Sequence, residues 1–254
     1  MSFSPLQNMK AAIKHFITVC RHKWYVFKEC AACGLVWQGL VHDLSKFSPA
    51  EFLPAARYFQ GDRSPIEAEK EELGYSNSWL HHKGRNKHHW EYWCDYYDNG
   101  EVFPHEMPYR YVVEMICDHV GAGKAYAKEK WTQEAPLKYW DAHRPGRHFA
   151  ANTEERAVEL LNIIKNQGLK EFHKEAKFWL RLDRLNEKVH RKLRKASPCP
   201  ECGSKHLWGC KKSVSGREGH RWWIECADCN WCGKTKFLLR RAIKAWEKEN
   251  EQQQ

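Results

Sequence analysis

Residues 39–52 read Gly39-Leu40-Val41-His42-Asp43-Leu44-Ser45-Lys46-Phe47-Ser48-Pro49-Ala50-Glu51-Phe52, and the rest of the chain is best read outward from them. They set a histidine beside an aspartate within a short apolar run, 35–44, and then open a helix. Ser48-Pro49-Ala50-Glu51 has the pattern of a capping box with proline at the first helical position, which predicts a helix over 49–59. Upstream, Ile13, Phe16, Ile17, Cys20, Trp24, Phe27 and Cys30 recur at three- and four-residue steps, the period of a long helix over 6–33 that Gly34 stops. Downstream, 61–75 is charged and loop-like, and 79–97 is rich in histidine and aromatic residues. A helix is expected over 109–126 on Val112, Val113, Ile116, Cys117 and Val120. Residues 127–151 read as irregular. Asn152-Thr153 caps a helix to about residue 166, Gly168 breaks it, and a basic helix follows over 169–195. Nothing before Ser197 alternates with period two, so the body, 1–196, is expected to be all-α.

The chain has 254 residues, 42% of them hydrophobic and 13% aromatic, enough for one or two domains with a real core. No uncharged apolar run approaches the roughly 18 residues of a membrane span. The N-terminal stretch lacks the apolar segment of a secretion signal, so a cytoplasmic, reducing location is expected. Residues 1–169 hold 21 Lys and Arg against 21 Asp and Glu, so the whole net charge of +10 lies in 170–254. A neutral body with a basic tail suggests an acidic partner, nucleic acid first, with a merely solvated basic helix as the plainer reading.

The histidines fall in an informative order. His22 lies late in the first helix, His42-Asp43 follows, then His81-His82 and His88-His89, and finally Asp118 after Cys117. Imidazoles with carboxylates suit Mn²⁺, Fe²⁺, Zn²⁺ or Co²⁺, and a carboxylate can bridge two ions. Glu114, one turn before Asp118, is placed to orient a ligand. The ordered set resembles the HD phosphohydrolase superfamily, helical enzymes that hold one or two metals, and His42-Asp43-Leu44-Ser45-Lys46 is similar to the HD-x-x-K form of its signature. The resemblance implies an HD-domain-like body in which His22, His42, Asp43 and Asp118 form a first metal site. His82 and His89 would complete a second with Asp43 bridging, His81 and His88 remaining their rivals. It further implies catalytic roles for Asp43, Lys46 and Arg85, with Lys46, Lys83 and Arg85 meeting substrate phosphate, and hydrolysis of a nucleotide or a nucleic-acid phosphodiester. A fold that binds nucleotide or nucleic acid without cleaving it, or sequesters a nucleotide signal, is the alternative. Segments RHKWYVFKEC (21–30), GLVWQGLVHDLSKFSPAEFLPAARYFQG (34–61), WLHHKGRNKHHWEYW (79–93) and MPYRYVVEMICDHV (107–120) also resemble a family of uncharacterised phage and bacterial proteins across about 8–170.

Beyond Ser197-Pro198 the composition changes. Cys199-x-x-Cys202-Gly203 and Cys226-x-x-Cys229 have the spacing of two zinc knuckles, which predicts a structural Zn²⁺ ribbon over 198–250. Cys229-x-x-Cys232 offers a rival second knuckle, and Cys210 reads as a bystander. The strand-like 221–225 and a terminal helix over 237–249 complete the module. It resembles the Lar-like restriction-alleviation zinc proteins of phages, departing in the longer 210–219 loop and the extra Cys232. That resemblance implies a counter-defence setting in a phage-infected host cytoplasm.

Overall fold

The computed structural model describes residues 5–61, 63–213, 220–236 and 238–252. It divides into two compact units, Met1–Leu180 and Arg181–Gln254. Among its described residues the first is all-helical apart from one small hairpin. Its helices are α1 (Pro5–Ala32), α2 (Val36–Val41), α3 (Pro49–Arg57), α4 (Pro65–Leu73), α5 (Asn77–Lys83), α6 (Tyr109–Ala127), α7 (Ala135–His143) and α8 (Ala151–Gln167), and α9 (Leu169–Leu193) begins in it. Among the described residues no helix is long and apolar enough to cross a membrane.

Helix α1 against α6 is the spine of this unit. Val26 and Cys30 of α1, with Cys33 just after it, meet Val112, Val113, Ile116, Cys117 and Val120 of α6 in a core that α8 closes with Leu160, Leu161 and Ile164. The two helices approach closely at Gly121, where a Cβ would stand 2.4 Å from Val26 Cγ2 and 2.9 Å from Val26 N. Only glycine admits that approach. Val26 and Gly121 lie one turn beyond His22 and Asp118, so this contact also sets the distance between those two side chains.

The regular apolar stripe on α1 does not face this core. Val19, His22, Val26 and Cys30 are buried, whereas Ile13, Phe16, Ile17, Cys20 and Trp24 are exposed. The helix is apolar on two sides, and periodicity alone does not say which side the fold covers.

Two helices arise where loops were expected. Helix α4 has Ser64 before it, Pro65 at its first position and Gly74 at φ +80° after it. These are local start and stop signals within a stretch too charged to show an apolar stripe. Helix α7 lies in the 127–151 stretch, again with a proline in its first turn, and buries Trp140. A short antiparallel hairpin, β1 (Cys94–Tyr96) with β2 (Val102–Pro104), also interrupts the helices. The expected caps are spent elsewhere: Thr153 Oγ1 accepts from Met107 N at 2.9 Å, and Glu51 turns inward to imidazoles.

The second unit joins the C-terminal half of α9 to an antiparallel hairpin and a last helix. The hairpin pairs β3 (Leu207–Ser213) with β4 (His220–Cys226), from Leu207 opposite Cys226 to Ser213 opposite His220, and α10 (Leu239–Glu251) follows. The expected 210–219 loop is strand as far as Ser213, and residues 214–219 lie outside the described set. Val189 and Leu193 of α9 share a core with Leu207, Ile224, Ala242 and Trp246, so the compositional break at Ser197-Pro198 falls inside this unit. The fold is thus an all-α body with a small cysteine-bearing module at its C-terminal end.

Candidate metal centre

Three local features turn the histidines and carboxylates toward one another. Helix α2 ends at His42, and Asp43 adopts φ +53°, a left-handed conformation uncommon for a residue with a side chain. That reversal lets adjacent residues both point inward. The α1–α6 contact brings His22 and Asp118 face to face. Ser76 Oγ accepts from Trp79 N at 3.0 Å, capping the short helix α5 that carries His82.

The first group is His22, His42, Asp43 and Asp118. His22 Nε2 lies 3.2 Å from Asp118 Oδ1 and 3.4 Å from Asp43 Oδ2, and His42 Nε2 lies 3.5 and 3.3 Å from the same two oxygens. The second group is Asp43, His82, His88 and His89. Its Asp43 Oδ1 stands 3.3 Å from His82 Nε2 and 3.4 Å from His88 Nε2. Asp43 therefore belongs to both groups, one oxygen toward each. His88 and His89 both enter, because the turn after α5 lets consecutive side chains converge, as a helix does not. His81 does not: its Nδ1 lies 2.6 Å from Glu51 Oε1.

Carboxylates behind the imidazoles hold them. Glu114 Oε1 is 2.8 Å from His42 Nδ1 and 3.3 Å from His88 Nδ1, and its other oxygen accepts from Gln38. Glu51 Oε2 is 2.8 Å from His82 Nδ1. An imidazole tied at Nδ1 to a carboxylate presents Nε2 with a fixed orientation, the usual support of a metal-ligating histidine. Glu114 is legible in sequence from its position one turn before Asp118; Glu51 is not, because it also satisfies a capping pattern.

Among the described residues, and apart from the Lys46 ammonium 2.7 Å from Asp43 Oδ2, the inward atoms have no hydrogen-bond partner. Nε2 of His42, His88 and His89, both oxygens of Asp43 and Oδ1 of Asp118 are buried without a directed hydrogen bond. Buried polar atoms are nearly always satisfied, so a cluster of convergent orphans fits a cation as the missing partner. Electrostatics agrees. Burial alone would raise the carboxyl pKa of Asp43, but His42, Lys46 and His82 outweigh it and hold it well below the ordinary range. Asp118 is likewise held down, against burial, by His42, His22 and His88. His42 is driven well above the histidine range against burial, by Asp43, Asp118 and Glu114, so a proton and a cation compete for the same Nε2. Burial, then Lys46, lowers His22 to about 4, leaving it a neutral imidazole.

Lys46 stands among these groups, with Nζ 2.7 Å from Asp43 Oδ2 and 3.4 Å from His22 Nε2. The groups open on a cavity of about 380 Å³ whose wall includes Lys46, Lys70, Trp79, Tyr126, Tyr139 and Arg147. Lys83 and Arg85, expected at phosphate, do not line it; Arg85 is exposed and donates to the His81 carbonyl at 3.3 Å. Position 85 lies just past the end of α5, where the chain has turned outward. Lys70 and Arg147 reach the cavity instead, from α4 and from the segment after α7, the two stretches whose helices the sequence did not reveal.

Glu114→Gln should weaken divalent-metal binding by about 10–100-fold through the loss of imidazole support. A calorimetric titration of metal-stripped protein reads this, and unchanged affinity would remove Glu114 from that role.

In the second unit Cys199, Cys202, Cys226 and Cys229 converge. The Cys199–Cys229 and Cys202–Cys226 sulfur separations are 3.6 and 3.5 Å. Four thiolates about 2.3 Å from one Zn²⁺ in a tetrahedron are about 3.8 Å apart, so the arrangement suits zinc. Burial raises the Cys226 thiol, but backbone N–H groups of Cys229 and Asp228 outweigh it and bring it down to about 7. Cys232 lies outside the cluster, with its thiol on the Asn230 carbonyl at 3.4 Å, and Cys210 faces Glu225 at 3.5 Å.

A family model described as a family of unknown function (DUF5662) matches residues 11–166. That span holds all the residues lining the cavity and excludes the cysteine module. No curated protein and no solved structure matches the chain.

Proposed function

Since the chain belongs to the family of unknown function DUF5662, and that family's span builds the cavity, we propose that it is a metal-dependent phosphohydrolase acting on a nucleotide or a nucleic-acid phosphodiester. The observation that carries this reading is the set of buried, unpartnered atoms on His42, His88, His89, Asp43 and Asp118 around one shared carboxylate. Their order along the chain, with Lys46 three residues after Asp43, is the order of the HD phosphohydrolases, which are also helical.

His22, His42, Asp43 and Asp118 would hold one divalent ion, and Asp43 with His82, His88 and His89 a second; Mn²⁺, Fe²⁺, Co²⁺ and Zn²⁺ all suit these donors. Such ions supply Lewis acidity toward phosphoryl oxygens and toward water. The chain's own residues do the rest. Lys46, kept protonated by Asp43 and Asp118 against burial, holds a phosphoryl oxygen at the floor of the cavity. Lys70 and Arg147 add positive charge from the walls, where Arg147 also lies over the Tyr139 ring at 5.5 Å. Trp79 and Tyr139 offer flat apolar surface to a base. Glu51 and Glu114 keep the imidazoles from turning away. Metal-stripped protein given each of the four ions should hydrolyse bis-p-nitrophenyl phosphate or members of a nucleotide panel. No turnover with any of them would overturn the enzyme reading.

A non-catalytic, nucleic-acid-binding reading keeps its own observation. Lys170, Lys174, Lys177, Arg181, Arg184, Lys188 and Arg191 are all exposed along α9, and Lys195 just after it. Lys and Arg on phosphates release counterions, so binding through them weakens steeply with salt. We expect weak, sequence-tolerant nucleic-acid binding in a gel shift at about 50 mM salt, lost by about 0.3 M. Binding indifferent to salt would refute it. With the Lar-like cysteine pattern, this binding would suit a phage counter-defence protein in the host cytoplasm.

A further inference from the structure

The face of α1 that the fold leaves uncovered is organised. Met9, Ile13, Phe16, Ile17, Cys20 and Trp24 fall within an arc of about 100° on the side opposite His22 and Val26. Ile13 is 53% exposed and Trp24 57%. The patch continues beyond the helix. The Phe16 and Phe47 rings meet edge-on with centroids 5.9 Å apart, and α2, which packs on α1 through Gly39 against Phe27 and Cys30, exposes Val36, Trp37 and Leu40, with Leu44 exposed in the turn after it and Trp37 at 73%. Large side chains present roughly 150–250 Å² each when free, so these half-exposed ones offer on the order of 1,000 Å². That exceeds the roughly 300–600 Å² of the largest apolar patch on a typical monomer and the roughly 800 Å² each partner gives a standard interface.

The stripe is also symmetric about its middle. A two-fold axis running beside α1 at the level between residues 16 and 17 sets Met9 opposite Trp24 of the second copy, Ile13 opposite Cys20 and Phe16 opposite Ile17, so an antiparallel copy meets apolar residues along its whole length of about 22 Å. We propose that this face, α1 with α2 and the turn after it, docks a second copy of the chain in an isologous dimer, with Trp24 and Trp37 as its anchors. Burying it there leaves the other side of α1, which carries His22, within its own core.

The test uses the full chain. Sedimentation should give a dimer at tens of micromolar, and Ile13→Asp with Ile17→Asp should give a monomer with unchanged helical signal. The register gives a sharper readout. In the wild type the two Cys20 residues are offset by seven positions, about 10 Å of helix, which is too far for a disulfide. The Ile13→Cys variant sets a thiol opposite Cys20 of the second copy. Copper–phenanthroline, taking two electrons from the two thiols, should then link the copies, and adding Cys20→Ser should abolish the link. A monomer at these concentrations, a dimer unmoved by the aspartates, or no link from Ile13→Cys would each overturn the proposal. So would monomeric protein binding phosphatidylserine vesicles in a salt-sensitive way. Lys10, Lys14, Arg21 and Lys28 flank the stripe, and that result would make it a membrane-facing surface.

Discussion

Asp43→Ala should release the divalent metal from the helical body and lower phosphohydrolase turnover by on the order of 10³-fold or more, about 4 kcal/mol of transition-state stabilisation. Among the described residues no other side chain belongs to both groups: Oδ2 lies 3.4 and 3.3 Å from the Nε2 atoms of His22 and His42, and Oδ1 lies 3.3 and 3.4 Å from those of His82 and His88. Alanine removes the shared ligand and leaves Lys46 without its ion-pair partner. The core between α1 and α6 is untouched, so helical content should persist. A second readout does not depend on activity. Metal at about 100 times its dissociation constant stabilises the folded state by about 2.7 kcal/mol, so metal should raise the melting temperature of the wild type and leave that of Asp43→Ala unmoved. Wild-type metal content in the body of the variant would remove Asp43 from the site.

Cys199→Ser and Cys226→Ser should each lose about one equivalent of Zn²⁺ and unfold the second unit. Its core rests on a few side chains, Leu207, Ile224, Ala242 and Trp246 with Val189 and Leu193 from α9. A core of that size supplies little stability by itself, whereas structural zinc contributes apparent binding energies of roughly 10–16 kcal/mol at neutral pH. Trp246 is fully buried and donates from Nε1 to the Ser197 carbonyl at 2.9 Å, so its release should shift the fluorescence to the red. Limited proteolysis should then cut within 197–252. Cys232→Ser is the control and should keep its zinc. Full zinc retention by both ligand variants would refute the assignment.

Much of the fold was legible wherever a helix carries an apolar period. Helices α1 and α6 lie within a few residues of where that period puts them, and α8 and α9 of where a start signal and the break at Gly168 put them. Helices α4 and α7 were not, because their start signals sit in charged or mixed stretches and their burial depends on neighbours distant in sequence. The cysteine module was readable from the CxxC spacing, since four thiolates close on one ion whatever the loop between them does. Yet Cys229 rather than Cys232 joins the cluster because the hairpin register brings Cys226 and its turn to Cys199 and Cys202.

The metal centre divides along the same line. By itself the sequence determined the residue types and their order, His22, His42-Asp43, the paired histidines and Asp118, because ligand chemistry belongs to the side chains. Only the tertiary structure decided that His82 faces inward while His81 turns to Glu51, that His88 and His89 both converge, and that Lys70 and Arg147 reach the cavity while Lys83 and Arg85 do not. These are questions of direction, and direction comes from helix ends, a left-handed residue at Asp43 and the close α1–α6 contact at Gly121. The same holds for α1: its composition makes two apolar faces, and only packing against α6 selects the one that carries His22, leaving the more regular stripe outside.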